Sequence, residues 1–171
     1  MLELGPLIRD IPDFPKKGIL FKDITTLLKN PLAFKQSIDQ MTELVRAHAP
    51  RVVIGMESRG FIFAAPVAYQ LEAGFVPVRK LGKLPGEVIS TEYDLEYGTN
   101  TLELHADAVS PGQRVLIVDD LLATGGTVSA TIELVERLEG VVSAVSFLVE
   151  LTALKGRARL DGYNVVSIIQ F

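Results

Sequence analysis

The chain has 171 residues, 48% of them hydrophobic and 22% charged, a composition typical of a single globular domain that buries its own core. It contains no cysteine, which excludes thiol catalysis, disulfides and thiolate metal sites and favours an intracellular, cytoplasmic protein. The net charge of −4, the short apolar runs and the first residues MLELGPLIRD argue against a nucleic-acid surface, a membrane span and a secretory signal.

The first half of the chain contains strand and helix patterns in alternation. Apolar residues between Pro31 and Pro50 recur at the spacing of an amphipathic helix. The β-branched run Arg51–Gly55 predicts a buried strand, and the turn MESRG then leads into a helix over Phe61–Leu71. A second buried strand is expected at Gly74–Val78. Three basic residues follow it on a predicted turn: Arg79, Lys80 and Lys83.

The second half begins with a different pattern. From Glu87 to Ala108 we expect an antiparallel hairpin, because apolar residues alternate with polar ones. The apolar members are Leu102, Leu104 and Ala106, and the polar members are Glu103, His105 and Asp107. A strand (Arg114–Val118), a helix (about Gly126–Leu138) and two strands (Val142–Val149 and Tyr163–Ile169) complete the chain. This order predicts an α/β fold with a mostly parallel central sheet flanked by helices.

The segment VLIVDDLLATGGT carries the strongest functional signal. Asp119 and Asp120 come at the carboxyl end of a predicted parallel strand, where such sheets bind ligands. Backbone N–H groups and hydroxyls of the next loop can converge on one phosphate at a helix N-terminus. The loop residues are Ala123, Thr124, Gly125, Gly126 and Thr127. The lysine of a P-loop is missing, and the acids precede the glycines, the reverse of a dinucleotide fingerprint.

Acids followed by a phosphate loop favour a ligand that carries sugar hydroxyls, or hydroxyl-bound Mg²⁺, near a terminal phosphate. Ribose 5-phosphate has that shape. The alternative is an acidic turn before a threonine-capped helix.

The segment VLIVDDLLATGGT resembles the phosphoribosyl diphosphate signature of type I phosphoribosyltransferases, and it is most similar to their adenine-specific branch. Other similar segments occur in the same order: DFPKKGILFKDIT, MESRGF, VRKLGKLPG, DLEYGTNTLELHADA and FLVELTALKGR. The resemblance covers almost the whole chain. It implies one type I phosphoribosyltransferase domain over residues 1–171, with an N-terminal hood mainly in 1–30, a β-hairpin lid at about 82–108, and a homodimer.

The resemblance also implies a reaction. The 5-phosphoribosyl group would pass from 5-phospho-α-D-ribose 1-diphosphate to N9 of adenine, giving AMP and diphosphate in purine salvage. Mg²⁺ would be carried mainly by the diphosphate substrate and not by protein ligands. Asp119 and Asp120 would fix the ribose hydroxyls and stabilise positive charge on the ring. Two alternatives stay open: a transferase for hypoxanthine, guanine or xanthine, and a non-catalytic regulator that senses the sugar phosphate.

Two lid residues and one loop arginine receive roles from the resemblance. Glu96 corresponds to the family's proposed general base and Tyr97 to the residue that closes over the reacting centre. Arg59 would contact diphosphate and purine. The structural alternatives are an acidic hairpin tip for the first two and a surface ion pair for Arg59 and its neighbour Glu57.

The remaining implied roles concern diphosphate and adenine. Arg79, Lys80 and Lys83 would bind diphosphate, some of them across a dimer interface, where the alternative is a solvated basic turn. The main chain of Leu20 would pair with the N6 amine and N1 of adenine, a pattern that a 6-oxo purine inverts. Core packing is the alternative for the side chains of Leu20 and Phe21.

Overall fold

The computed structural model of the chain describes residues 1–95 and 98–171. In that part of the chain the strands are β1 (Arg9–Pro12), β2 (Leu20–Asp23), β3 (Val52–Met56), β4 (Gly74–Lys80), β5 (Val88–Leu95), β6 (Gly98–His105), β7 (Arg114–Leu122), β8 (Val141–Glu150) and β9 (Val165–Gln170). The α-helices are α1 (Thr25–Leu28), α2 (Pro31–Arg46), α3 (Gly60–Gln70) and α4 (Gly126–Arg137). Short 3₁₀ helices lie at Gly5–Leu7, Thr152–Leu154 and Gly156–Leu160.

The central sheet has the strand order β5-β6-β4-β3-β7-β8-β9. Strands β4, β3, β7, β8 and β9 run parallel to one another, whereas β6 is antiparallel to both β4 and β5. The expectation of a mostly parallel sheet is therefore confirmed. The continuous apolar runs of β3 and β7 suit this position, because parallel strands are covered on both faces.

Two hydrophobic clusters cover the two faces of the sheet. Successive residues of a strand point to opposite faces, so β7 contributes to both. Leu116 and Val118 pack with residues of α2 and α3. Val115 and Ile117 pack with residues of α4. Helices α2 and α4 form because their apolar residues recur at the 3.6-residue period that faces such a cluster. Helix α3 is apolar around most of its surface.

The N-terminal residues form a small second sheet in which β1 and β2 pair antiparallel. The sequence predicts no strand or helix before Pro31 and an irregular segment over Phe14–Thr25, which is wrong for residues 20–23, since they form a strand. Asp23 is buried and accepts the backbone N–H of Thr25 at 2.9 Å and the guanidinium Nε of Arg9 at 3.1 Å. These bonds, the Thr25 N–H first, lower the pKa of Asp23 to about 2.

The predicted hairpin is confirmed as β5 and β6, but two details of the pattern are wrong. Glu103 is only 6% exposed, because its carboxylate accepts the backbone N–H of Gly82 at 2.9 Å. Arg79 and Lys80 are the last residues of β4, so of the three predicted turn cations only Lys83 lies on the turn. The buried carboxylate therefore fixes the start of that turn.

Candidate active site

The paired aspartates lie inside the last part of β7, which is longer than predicted. The strand continues because it stays paired with β8, up to Leu122 opposite Glu150. Asp120 is 4% exposed and Asp119 is half-buried. The backbone N–H of Asp120 donates to Asp119 Oδ1 at 2.9 Å. Both acids therefore come to the carboxyl edge of the sheet on a rigid element.

Burial and mutual repulsion act on both carboxyls. Burial is the main cause that raises the pKa of Asp119, and the neighbouring Asp120 raises it further. Burial also raises the pKa of Asp120, while the guanidinium of Arg59, with its Nε 2.8 Å from Asp120 Oδ2, opposes that rise. The pair thus favours a ligand that brings hydroxyl donors or positive charge.

A cavity of about 70 Å³ opens beside Asp119 at the start of α4. All five predicted loop residues line it: Ala123, Thr124, Gly125, Gly126 and Thr127. Gly125 has φ +84° and precedes the helix, which no side chain caps. The threonine-capped helix is therefore wrong, and the first N–H groups of α4 stay open for an anion.

The segment after β8 closes the back of this loop. A Cβ atom on Gly156 would lie 2.2 Å from the Ala123 carbonyl oxygen, and one on Gly125 would lie 2.8 Å from the Gly156 carbonyl oxygen. The two backbones touch without any side chain between them. Gly156 and Gly125 are therefore required by a close approach, and Gly125 also by its positive φ.

The β3–α3 loop, residues 57–59, brings Arg59 to the acidic pair. A Cβ atom on Gly60 would lie 2.8 Å from Asp119 Oδ1, so glycine allows this loop to approach β7. The Arg59 guanidinium contacts Asp120 through its Nε, and its Cζ lies over the ring of Phe21 at 5.4 Å from the centroid. The structure thus brings Arg59 together with the predicted aspartates, in an ion pair whose acidic partner is buried.

Glu57 connects the same loop to the basic segment. Its carboxylate accepts the Lys80 backbone N–H at 3.0 Å and the Arg79 Nη2 at 3.2 Å. The Lys80 N–H is the main cause that lowers the pKa of Glu57. Arg79 is therefore held in an ion pair beside the loop, while the side chains of Lys80 and Lys83 are exposed.

The β2 strand places Leu20 and Phe21 at the edge of this region. Leu20 is 50% exposed, so core packing is wrong for its side chain. Phe21 is partly buried and packs edge-to-face on Phe14, with ring centroids 5.1 Å apart. Through Phe21 the N-terminal sheet contacts Arg59.

Comparison with known sequences identifies the protein family of this chain. A profile of the phosphoribosyl transferase domain matches residues 23–169. The adenine phosphoribosyltransferase of Thermoanaerobacter sp. strain X514 is 57% identical over 169 residues, which cover 99% of this chain and 98% of that relative. The chain belongs to the adenine phosphoribosyltransferase family.

Solved adenine phosphoribosyltransferases share the whole architecture. The crystal structure from Thermoanaerobacter pseudethanolicus superposes with a TM-score of 0.96 at 56% identity, covering 98% of each chain. The Saccharomyces cerevisiae enzyme, solved with D-2,5-dideoxy-2,5-imino-altritol 1,6-bisphosphate and adenine, gives 0.90 at 42% identity, covering 96% of this chain and 95% of that one.

Two predicted residues of this adenine phosphoribosyltransferase family member, Glu96 and Tyr97, lie outside the described residues. The described base of their hairpin rests on α4. Thr91 Oγ1 donates to Glu133 at 2.8 Å, and Arg137 Nη1 donates to the Ser90 carbonyl at 2.6 Å.

Over residues 1–95 and 98–171, no helix is long and apolar enough to span a membrane, and no three acidic or histidine side chains could hold a metal ion.

Sequence reasoning missed two residues that shape the site, Gly60 and Gly156, which permit the close approaches described above. It named Glu57 with an ion pair as the alternative, but it did not predict that Glu57 anchors the basic segment. Glycine inside the quoted segments MESRGF and FLVELTALKGR was the available signal. It does not reveal which backbone comes near, because that depends on the tertiary fold.

Proposed function

We propose that the protein transfers the 5-phosphoribosyl group from 5-phospho-α-D-ribose 1-diphosphate to N9 of adenine, producing AMP and diphosphate for purine salvage. The observation that carries this proposal is the aspartate pair, with Asp120 buried and Asp119 half-buried, beside a glycine loop at the N-terminus of α4. It occurs in a chain that is 57% identical to an adenine phosphoribosyltransferase.

In this proposal the loop of residues 123–127 binds the 5′-phosphate. The cavity is small, and its small side chains let an anion approach the backbone amides of the loop and the first turn of α4. Thr124 and Thr127 add hydroxyl groups. The phosphate end of the ribose is thereby fixed before the reaction begins.

The two aspartates would act on the ribose itself. As the bond to diphosphate breaks, positive charge develops on the ribose ring, and nearby fixed carboxylates stabilise that charge. Asp119, which lines the cavity, would meet the ligand directly. Asp120 would keep Arg59 in position and add negative charge beneath the ring.

The adenine would lie near Arg59 and the N-terminal sheet. The guanidinium of Arg59 offers a flat cationic surface for stacking, and the exposed Leu20 lies on the neighbouring strand. Main-chain groups of Leu20 that pair with N6 and N1 of adenine would be left unpaired by a 6-oxo purine. This would disfavour hypoxanthine and guanine.

Diphosphate would be held on the opposite side by cations of the β4 end and its turn. Arg79 is already oriented by Glu57, and the exposed amines of Lys80 and Lys83 can reach a highly charged leaving group. We also propose Mg²⁺ as a cofactor, bound mainly through the substrate's diphosphate. Asp119 supplies the oxygen chemistry that this ion prefers, and the ion would neutralise charge on the leaving group.

The assignments of Glu96 as general base and Tyr97 as the closing residue stay part of the proposal. A carboxylate that takes the N9 proton would work best when the hairpin excludes water.

We further propose a cytoplasmic homodimer. Exposed apolar side chains on α3 and β4 support the dimer, including Ile62, Tyr69 and Phe75. Sedimentation velocity distinguishes a dimer from a monomer, and a monomer at micromolar concentration would contradict the proposed homodimer.

The proposed function is tested by incubating the protein with Mg²⁺, phosphoribosyl diphosphate and equal amounts of adenine, hypoxanthine, guanine and xanthine. Chromatography of the nucleotides should show AMP as the main product. A 6-oxo nucleotide as the main product would assign the other transferase class. Tight binding of phosphoribosyl diphosphate without any nucleotide product would assign the regulator.

A further inference from the structure

The segment behind the phosphate loop is held by a buried acid and a forked arginine. Glu150, the last residue of β8, is 4% exposed. Arg157 Nε lies 2.9 Å from Glu150 Oε1, and Arg157 Nη2 lies 2.5 Å from Oε2. Such a two-pronged, charge-assisted contact fixes the guanidinium in orientation as well as in distance.

Further contacts join this pair to the last strand. Arg157 Nη1 donates to the Val165 carbonyl at 2.7 Å, and Ser167 Oγ donates to Glu150 Oε2 at 2.7 Å. The Arg157 contact is the main cause that lowers the pKa of Glu150. The segment 151–156 is therefore fixed at both ends against β8 and β9.

Gly156, directly before Arg157, transmits this restraint to the phosphate loop. Its backbone lies against the Ala123 carbonyl and the Gly125 backbone N, at distances that leave no room for a side chain. At the other end of the segment, the Leu151 N–H donates to the Leu122 carbonyl at 2.9 Å. The loop that begins after Leu122 thus has a rear wall set by Glu150 and Arg157.

We propose that Glu150 and Arg157 are positioning residues for the 5′-phosphate loop. They touch no substrate; they set the depth of Gly156 and so the orientation of the backbone amides at residues 123–126. An anion site made of amides loses affinity when its donors shift by a fraction of an ångström. The inference rests on the proposed function, in which this loop binds the 5′-phosphate.

The decisive variant is Arg157→Lys, which keeps the positive charge but cannot form the fork to Glu150 or hold the Val165 carbonyl. We expect the KM for phosphoribosyl diphosphate to rise about tenfold, while the KM for adenine changes less than about twofold. AMP inhibition should weaken by a similar factor, because AMP carries the same phosphate.

Two other arginine substitutions serve as controls. They test whether the loss of any positive charge, or any general loss of stability, also raises the KM for phosphoribosyl diphosphate. Arg51→Ala removes an exposed cation directly before β3, at the edge of the sheet opposite the site, and Arg46→Ala removes the arginine of an exposed ion pair with Glu43 on α2. Neither should change the KM for phosphoribosyl diphosphate by more than about twofold. Thermal unfolding of every variant is measured alongside.

Three outcomes would overturn the proposal: Arg157→Lys with wild-type KM values, Arg157→Lys with equal rises for both substrates, or Arg51→Ala with the same loss as Arg157→Lys. Should Arg157→Lys not fold, Ser167→Ala removes one bond of the network, and a selective rise in the same KM remains the required result. Calorimetry with ribose 5-phosphate measures the phosphate site without turnover. It therefore tests the positioning role even if the wild type makes no AMP.

Discussion

Asp119 is a residue whose charge works against the folded state. Burial raises its pKa, so the folded protein binds this proton more readily than the unfolded chain does. Stability from this group is consequently greatest at low pH and falls as pH rises through the unfolded and then the folded pKa. In its charged form the Asp119 carboxylate lowers the stability of the folded state, and a ligand with hydroxyls or cations would relieve this destabilisation.

We therefore predict that Asp119→Asn raises the free energy of unfolding at pH 7 by on the order of 1 kcal/mol and lowers turnover. The gain should be smaller at pH 4 than at pH 7, because the pKa of Asp119 is raised well above its ordinary value of 3.8 and the folded protein holds more of this proton at the lower pH. Urea unfolding at both pH values provides the measurement. Asp39→Asn is the control, because its pKa is lowered by Lys35 and its loss should destabilise. A less stable Asp119→Asn protein at pH 7 would contradict the sign.

Asp120 is expected to matter far more for catalysis than for folding. Asp120→Asn removes the charge that Arg59 faces and the proposed electrostatic stabilisation of the ribose. We expect kcat to fall about a hundredfold, the effect typical of removing one such group, with little change in unfolding free energy. Saturating steady-state kinetics and urea unfolding measure the two effects. Unchanged turnover at saturating substrates would refute the role.

The phosphate loop is the element on which the site depends most. Gly125 combines a φ of +84° with a would-be Cβ contact of 2.8 Å to the Gly156 carbonyl oxygen. Gly162 has a φ of +89° and open space around its would-be Cβ, so it is a matched control for backbone strain alone. Replacing either with alanine costs about 1 kcal/mol of strain.

We predict that Gly125→Ala raises the KM for phosphoribosyl diphosphate about tenfold or more, because the loop must move away from its rear wall. Gly162→Ala should leave that KM unchanged while it destabilises the protein modestly. Kinetics with varied phosphoribosyl diphosphate decide between them. Equal KM values for the two variants would mean that the Gly125 contact has no bearing on the phosphate site.

At the same scale, the elements with strong periodicity were predictable and the short ones were not. Helix α2 and the parallel strands follow from the apolar spacing that faces a core. The buried Glu103 broke the alternation rule because a distant N–H, that of Gly82, compensates its burial. Strand β2 was missed because four residues carry too little pattern, and the approach of Gly156 to Ala123 follows only from packing. The loop and the acids, which are adjacent in sequence, were predicted together.

For the whole molecule, three buried or half-buried carboxylates join peripheral segments to the body: Asp23, Glu57 and Glu150. Each has a lowered pKa because backbone N–H groups or arginines bind its charged form. A lowered folded pKa gives stability that is present above the unfolded value and is lost as pH falls through the folded value. The N-terminal sheet, the basic turn and the loop wall should therefore weaken in acid.

We predict that unfolding free energy declines as pH falls from the ordinary aspartate value of 3.8 toward about 2, the folded pKa of Asp23. Asp23→Asn should make this decline shallower and should lower stability at pH 7. Urea unfolding between pH 5 and 2.5 gives both slopes. A variant whose pH slope equals that of the wild type would show that Asp23 does not contribute to acid sensitivity.

Helix α4 contacts two parts of the molecule. Its first turn lines the cavity of the proposed phosphate site, and its side chains Glu133 and Arg137 bind the base of the hairpin. A helix of 12 residues is a stiff rod about 18 Å long. If the hairpin moves about this base, its pivot keeps a constant distance from the proposed phosphate site. The length of α4 therefore sets the position of the hairpin base relative to the proposed phosphate site.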